Sequence, residues 1–187
     1  MNAPASVEGD ERVRLFCGLR LPPETVGRVV AWESDVFGAV SGVRRVPAEH
    51  LHVTLAFLGH RPVGELDAIV GALRAAAAGA VPARLTLRGY RETRSVGMLT
   101  LDDEEGRAAA FAEDLQGRLE ELAVYERERR RWLPHVTVLR FRRRPGLRPA
   151  LPELAPFVPS DAAAFLSRLR PSGAQYEVLE AVPVGGR

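Results

Sequence analysis

Residues 50–56 read HLHVTLA and residues 132–138 read WLPHVTV. The triplet His-Val-Thr therefore stands twice, as His52-Val53-Thr54 and as His135-Val136-Thr137, and uses two of the chain's four histidines. Both stretches are apolar runs of strand length; the first ends at Gly59 and the second is entered through Pro134. In a strand, side chains i and i+2 project to the same side. His52 and Thr54 thus share a face, with Val53 and Leu55 anchored behind them. His135 and Thr137 repeat the arrangement over Val136 and Val138. A lone His-x-Thr in a strand is usually structural. Two identical triplets in a chain so poor in histidine point instead to one shared site.

An imidazole gives or takes a proton near neutral pH. A threonine hydroxyl donates a hydrogen bond to an anionic oxygen. Two such edges brought face to face suit an in-line displacement at phosphorus. One imidazole takes the proton of the attacking oxygen, the other protonates the leaving oxygen, and the threonines hold the non-bridging oxygens as charge builds. That chemistry calls for no metal and no other cofactor. The pair lacks the third ligand of a usual catalytic zinc, and no carboxylate stands beside either motif at a telling spacing. His50 and His60 have no such partner and are expected at the surface or in loops.

Composition sets the frame. A chain of 187 residues with 46% hydrophobic content suggests one domain, or two small lobes sharing a core. No stretch approaches the length of apolar sequence that spans a membrane. Residues 1–11 are polar and acidic, so a flexible leader is expected there, followed by a single domain over 12–187. Cys17 is the one cysteine, which excludes an internal disulfide and agrees with a reducing, cytoplasmic setting. Every cation is arginine, a planar fork suited to phosphate. The net charge is only +2, too small for a strong overall field. Residues 126–148 nevertheless hold nine arginines against Glu126 and Glu128. Their position around the second triplet favours a phosphate-facing patch over a merely solvated surface. There is no GxGxxG after a strand and no GxxxxGK[ST], so dehydrogenase and NTPase readings lack support.

Periodicity gives an alternating order of elements. Residues 12–21 alternate, with Val13, Leu15, Cys17, Leu19 and Leu21 on one face and Arg12, Arg14, Phe16, Gly18 and Arg20 on the other, as in a half-buried strand. Helices are expected over 22–40, 63–79 and 104–124; their inward residues are Val26, Val29, Val30, Glu33 and Phe37, then Leu66, Ile69, Val70 and Leu73, then Phe111, Leu115, Leu119 and Leu122. Strands are expected over 51–59, 83–91, 96–102, 132–142 and 174–184, and a proline-rich loop over 143–160. The segment 160–170 looks helical by its Ser-Asp start and its alanines.

Paired His-x-Thr-x strands are similar to those of the two-histidine phosphoesterases. More closely, the chain resembles the RNA 2',3'-cyclic phosphodiesterases, also called 2'-5' RNA ligases, from Arg14 onward. RLFCGLRLPPE resembles the family's opening strand and helix start, VPAEHLHVTLAFLG its first motif, and RERRRWLPHVTVLR its second, with Pro134 and Arg140. SRLRPSGAQYEVLEAVPV resembles the closing pair of strands, which makes 162–169 a strand against local propensity. The fold implied is bilobal α+β: two antiparallel sheets related by a pseudo-twofold, helices outside, and a central cleft.

The resemblance implies hydrolysis of a 2',3'-cyclic phosphate at an RNA end, with cleavage of the P–O3' bond to leave a 2'-phosphate, and 2'-5' ligation as the reverse reaction. His52 becomes the acid for the leaving 3' oxygen and His135 the base for water. Thr54, Thr137 and Arg140 become phosphate ligands, although strict alternation points Arg140 away from His135 and Thr137 unless the strand bulges. Arg142, Arg143 and Arg144 are expected along the RNA backbone, and Phe16 is a candidate for stacking a base. RNA is the one partner expected, with no membrane, no protein partner and a monomeric state. A small cyclic nucleotide as substrate, or a non-catalytic RNA-binding member of the same fold, are the competing readings.

Overall fold

The computed structural model describes residues 11–170 and 173–185; apart from Glu11, the expected leader lies outside them. From the amino end the elements are β1 (Arg12–Arg20), α1 (Pro23–Phe37), β2 (Val43–Arg45), β3 (His52–Pro62), α2 (Leu66–Gly79), β4 (Leu85–Glu92), β5 (Val96–Asp103), α3 (Arg107–Glu121), β6 (His135–Phe141), β7 (Asp161–Arg170) and β8 (Gly173–Val182). Short 3-10 turns at Ala48–His50 and Val63–Glu65 bracket β3.

The strands form one antiparallel sheet in the order β4-β5-β6-β3-β1-β7-β8, with β2 laid along β6. β3 and β6 touch at a single residue pair, Val53 with Val136. Those are the middle residues of the two triplets. The expected two sheets are thus halves of one sheet, joined where the motifs cross. The halves mirror each other at the residue level: residues 52–58 and 135–141 share the accessibility sequence half-buried, buried, half-buried, buried, buried, exposed, buried.

Helices cover one side. Ile69 and Leu73 of α2 and Phe111, Leu115 and Leu119 of α3 pack with Val53, Leu55, Val136 and Val138 into the main core. Leu122, expected inward, falls beyond the end of α3 and is 42% exposed. β1 is not half-buried, because both of its faces are covered over Leu15–Leu19. Leu15, Cys17 and Leu19 enter the main core, while Phe16 joins Ala163 and Phe165 in a smaller cluster.

β7 is a strand despite its helical composition. It pairs with β1 on one edge and β8 on the other, so every local helical hydrogen bond is outcompeted by two ladders. Ala162 and Ala163 are fully buried there. Asp161, at the apparent cap position, instead accepts from Arg20 Nε at 2.6 Å. The loop over 143–160 is fastened twice: Trp32 Nε1 donates to Ala150 O at 2.7 Å, and Phe157 exchanges backbone hydrogen bonds with Leu85 on the outer edge of β4.

One inward residue of α1 carries a cost. Glu33 is 2% exposed, and its Oε1 has no hydrogen-bond partner among the described residues. Burial pushes its carboxyl up to about 8, against an opposing pull from Arg45. The folded protein therefore keeps a proton that the unfolded chain releases above about pH 4.5. Folding stability contributed at this position falls as pH rises from there towards 8. Relative to wild type, Glu33→Gln is expected to gain at least ~1 kcal/mol across that window, measured by urea unfolding at several pH values. A difference that does not grow with pH would refute the neutral carboxyl.

Candidate active site

Because Val53 and Val136 are antiparallel partners, the residues flanking them turn to the opposite face together. His52 and Thr54 of β3 thus come alongside Thr137 and His135 of β6, on the side of the sheet away from the helices. The structure brings together the four side chains on which the sequence reading rests. His52 is close enough to His135 that a charge on His135 opposes one on His52.

Both imidazoles are set in the same way. His52 Nδ1 lies 2.7 Å from His50 O, and His135 Nδ1 lies 2.8 Å from Leu133 O. A carbonyl only accepts, so Nδ1 carries the proton in each ring and Nε2 is left for the face of the site. His52 Nε2 accepts from the Thr54 hydroxyl at 3.0 Å. The supporting backbone is pinned by side chains just past the bridge. Trp132 Nε1 donates to Thr54 O at 2.9 Å, and Gln116 Nε2 donates to Leu55 O at 2.8 Å. The first of these ties the approach to one motif directly to the other.

The two histidines differ in surroundings. His52 stacks on Phe16 at 4.7 Å between centroids, with Phe165 at 5.7 Å and Tyr176 at 5.6 Å. Gly18 makes that packing possible: a Cβ there would lie 3.0 Å from Val53 O and 3.1 Å from His52 Cδ2. Burial pushes His52 down to about 4, with further lowering from His135, Arg140 and His50; the hydrogen bond to His50 O resists.

Arg140 reaches the site face through a bulge. On β5, Gly97 pairs with Leu139 and Met98 with Thr137, which leaves Val138 as an extra residue. The alternation resets, Val138 and Leu139 are both buried, and Arg140 emerges on the side of His135 and Thr137. Its charge acts on both His50 and His52. β3 has the same irregularity at the matching place: Cys17 pairs with Ala56 and Gly18 with Thr54, skipping Leu55.

Other expected residues fare differently. Phe16 is 3% exposed, its ring enclosed by His52, Phe165 and Tyr176, so it walls the histidine and has no free face for a base. Arg142 and Arg143 are exposed just beyond β6. Arg144 is not free to follow a backbone, because it pairs with the buried carboxylate of Glu92 at 3.2 Å. Glu92 also accepts from Gly146 N and Leu147 N, each at 2.9 Å, and from Tyr90 OH at 3.1 Å. Arg127 and Arg130, earlier in the basic run, pair with Glu120 and Glu128.

His50, expected at the surface or in a loop, sits in the 3-10 turn before β3 and packs beside the site. Its ring is 4.4 Å from Tyr176, and its Nε2 accepts from Tyr176 N at 3.3 Å. Together with Glu49, Arg168, Gln175 and Glu177 these two residues line an open pocket of about 430 Å³; the Tyr176 ring in its wall lies 5.6 Å from that of His52. The only sequence signal for His50 is its place two residues before the motif, on the same face by alternation. His60 is exposed, as expected. Burial pushes the Cys17 thiol up to about 12, so it is inert. Among the described residues no group of three or more His, Cys, Asp or Glu could hold a metal, and no helix is long and apolar enough to cross a membrane.

The family model of the 2'-5' RNA ligase superfamily matches residues 21–176, and the chain belongs to that superfamily. It is 31% identical to the RNA 2',3'-cyclic phosphodiesterase of Thermus thermophilus, over 93% of this chain and 91% of that protein. Its fold is similar to the crystal structure of TT0787, also of Thermus thermophilus, with a TM-score of 0.80, 29% identity, and coverage of 92% and 98% of the two chains. It is also similar to Escherichia coli LigT complexed with 3'-AMP, with a TM-score of 0.78 at 21% identity and coverage of 94% and 99%. That likeness is one of fold.

The enclosure of His52 has a direct readout. In the free protein its ring is expected to titrate near pH 4 by NMR, well below the ordinary 6.5. Inorganic phosphate bound beside it favours the imidazolium and should move the midpoint upward. A midpoint at 6.5 that ignores phosphate would refute both the enclosure and the anion site.

Proposed function

We propose that this phosphodiesterase opens the 2',3'-cyclic phosphate at the 3' end of an RNA with water, leaving a 2'-phosphate and a free 3'-hydroxyl. The observation that carries the reading is the pairing of Val53 with Val136, which sets two imidazole–hydroxyl edges around one spot. His135 Nε2 takes a proton from the attacking water as the P–O bond forms. His52 Nε2–H gives a proton to the 3' oxygen as the P–O3' bond breaks. Thr54 and Thr137 donate to the non-bridging oxygens, and Arg140 balances their charge.

This division of roles requires His52, neutral in the free protein, to gain its proton when substrate binds. An imidazolium held among aromatic rings is a strong acid, suited to protonating a leaving alkoxide. The anionic cyclic phosphate supplies the attraction that keeps His52 charged in the complex, where the free protein leaves it neutral. The pocket lined by His50 and Tyr176, whose ring contacts His52, is the place for the nucleoside that carries the leaving oxygen. Arg142 and Arg143 extend the positive edge beyond Arg140 towards the RNA backbone. With a 5'-hydroxyl in place of water the same steps run as 2'-5' ligation. The protein acts as a monomer in the cytoplasm, which agrees with its single, buried cysteine.

Replacing either His52 or His135 by Ala is expected to cut turnover of a cyclic-phosphate oligonucleotide roughly 10²- to 10⁴-fold, with the far-UV circular dichroism unchanged. Turnover in excess EDTA should equal that without it. Loss with EDTA and rescue by zinc would replace this mechanism with metal chemistry. Tight binding of the oligonucleotide by the wild type without turnover would make the protein a binding member of the fold. Since free His52 is neutral, the alkaline limb of kcat is expected at higher pH than that of kcat/KM.

A further inference from the structure

The face that carries His52 and Thr54 also presents an aromatic ring that no step above uses. Phe57 is 47% exposed. It stands in β3 where Arg140 stands in β6, as the exposed residue of the shared accessibility pattern. The skipped residue Leu55 returns it to the side of His52 and Thr54, as the skipped Val138 does for Arg140. Its cross-strand partner is Phe16, the ring on which His52 is stacked. Partners in an antiparallel pair point the same way, so Phe57 and His52 share one face.

A single exposed apolar side chain is ordinary on any protein surface. Phe57 is set apart by its company. The Arg14 guanidinium lies over its ring, 4.7 Å from the centroid, and Arg14 Nη1 is itself held by Ser167 Oγ at 3.0 Å. A half-exposed ring with an anchored cation over one face suits single-stranded nucleic acid: the other face stacks a base and the cation meets a phosphate. The pairing also supplies what Phe16, being enclosed, does not.

Resting on the reading of the site as an RNA cyclic phosphodiesterase, we propose that Phe57 and Arg14 form a platform for the nucleotide next to the one bearing the cyclic phosphate. Phe57 lies on the far side of Thr54 from His52, about 10 Å along the strand from Thr54 at about 3.3 Å per residue. The reacting nucleoside is accounted for beside His52, so the base on Phe57 belongs to its neighbour, and Arg14 meets the intervening phosphodiester. The platform makes an RNA end a better substrate than a free cyclic nucleotide.

The test compares kcat/KM for a trinucleotide ending in a 2',3'-cyclic phosphate with that for 2',3'-cyclic AMP. Wild type should prefer the trinucleotide. Phe57→Ala should lower that preference about tenfold, chiefly through KM. Phe57→Trp should keep it, and Phe57→Leu, apolar but without a stacking face, should lose it. Arg14→Gln should flatten the salt dependence of trinucleotide binding. In parallel, 2-aminopurine placed next to the terminal nucleotide should be quenched on binding to wild type and not to Phe57→Ala. An unaltered preference in Phe57→Ala, or full rescue by Leu, would overturn the platform. Equal loss on both substrates would also overturn it, by assigning Phe57 to the reacting nucleotide. If wild type opens both substrates without preference, the platform alone fails; if it opens neither, the cyclic-phosphodiesterase reading beneath it fails.

Discussion

One backbone pairing organises this molecule. Val53 and Val136 form the sole bridge between β3 and β6, and it joins the two halves of the sheet. Buried valines on one face oblige their neighbours to occupy the other. The site is therefore a consequence of core formation: the apolar backs of two strands meet under α2 and α3, and the polar edges have one place left to go. A register slip of one residue would send both imidazoles into the core.

The halves are copies in backbone and opposites in chemistry. Each strand bulges directly after its threonine, at Leu55 and at Val138. The residue thus brought onto the site face is Phe57 in one half and Arg140 in the other. Around His52 the floor is aromatic, built from Phe16, Phe165 and Tyr176. The half bearing His135 contributes the arginine. The unequal surroundings act on His52 above all, whose burial among these rings disfavours its charged form. Gly18 belongs to the same design, since a side chain on it would press on His52 and the Val53 carbonyl.

Three of the nine arginines of the basic run are paired with carboxylates. Glu92, buried in the loop-facing side of β4, gathers Arg144 and the amides of Gly146 and Leu147, and so fastens the segment that leaves β6. Arg127 and Arg130 are likewise paired with carboxylates. What remains near the site is narrower than the run itself: Arg140 on the face, with Arg142 and Arg143 exposed beyond it. Charge density along a sequence does not say which cations are already neutralised by residues distant in the chain.

The sequence by itself determined the three helices, most of the strands and the four side chains that the fold then brings together. Alternation around His52, Thr54, His135 and Thr137 is a local property, readable wherever a strand has one buried face, and the helical spacing of Ile69, Leu73, Phe111 and Leu115 is equally local. Three things were decided only by tertiary structure. Strand pairing on both edges overrode the helical composition of β7, because two ladders outweigh propensity. Bulges reset the alternation and turned Arg140 and Phe57 to the site, because a bulge depends on the partner strand and leaves no mark in the strand that carries it. The folding of β7 and β8 against β1 enclosed Phe16 and brought Tyr176 to His50 and His52, because exposure depends on what distant segments cover.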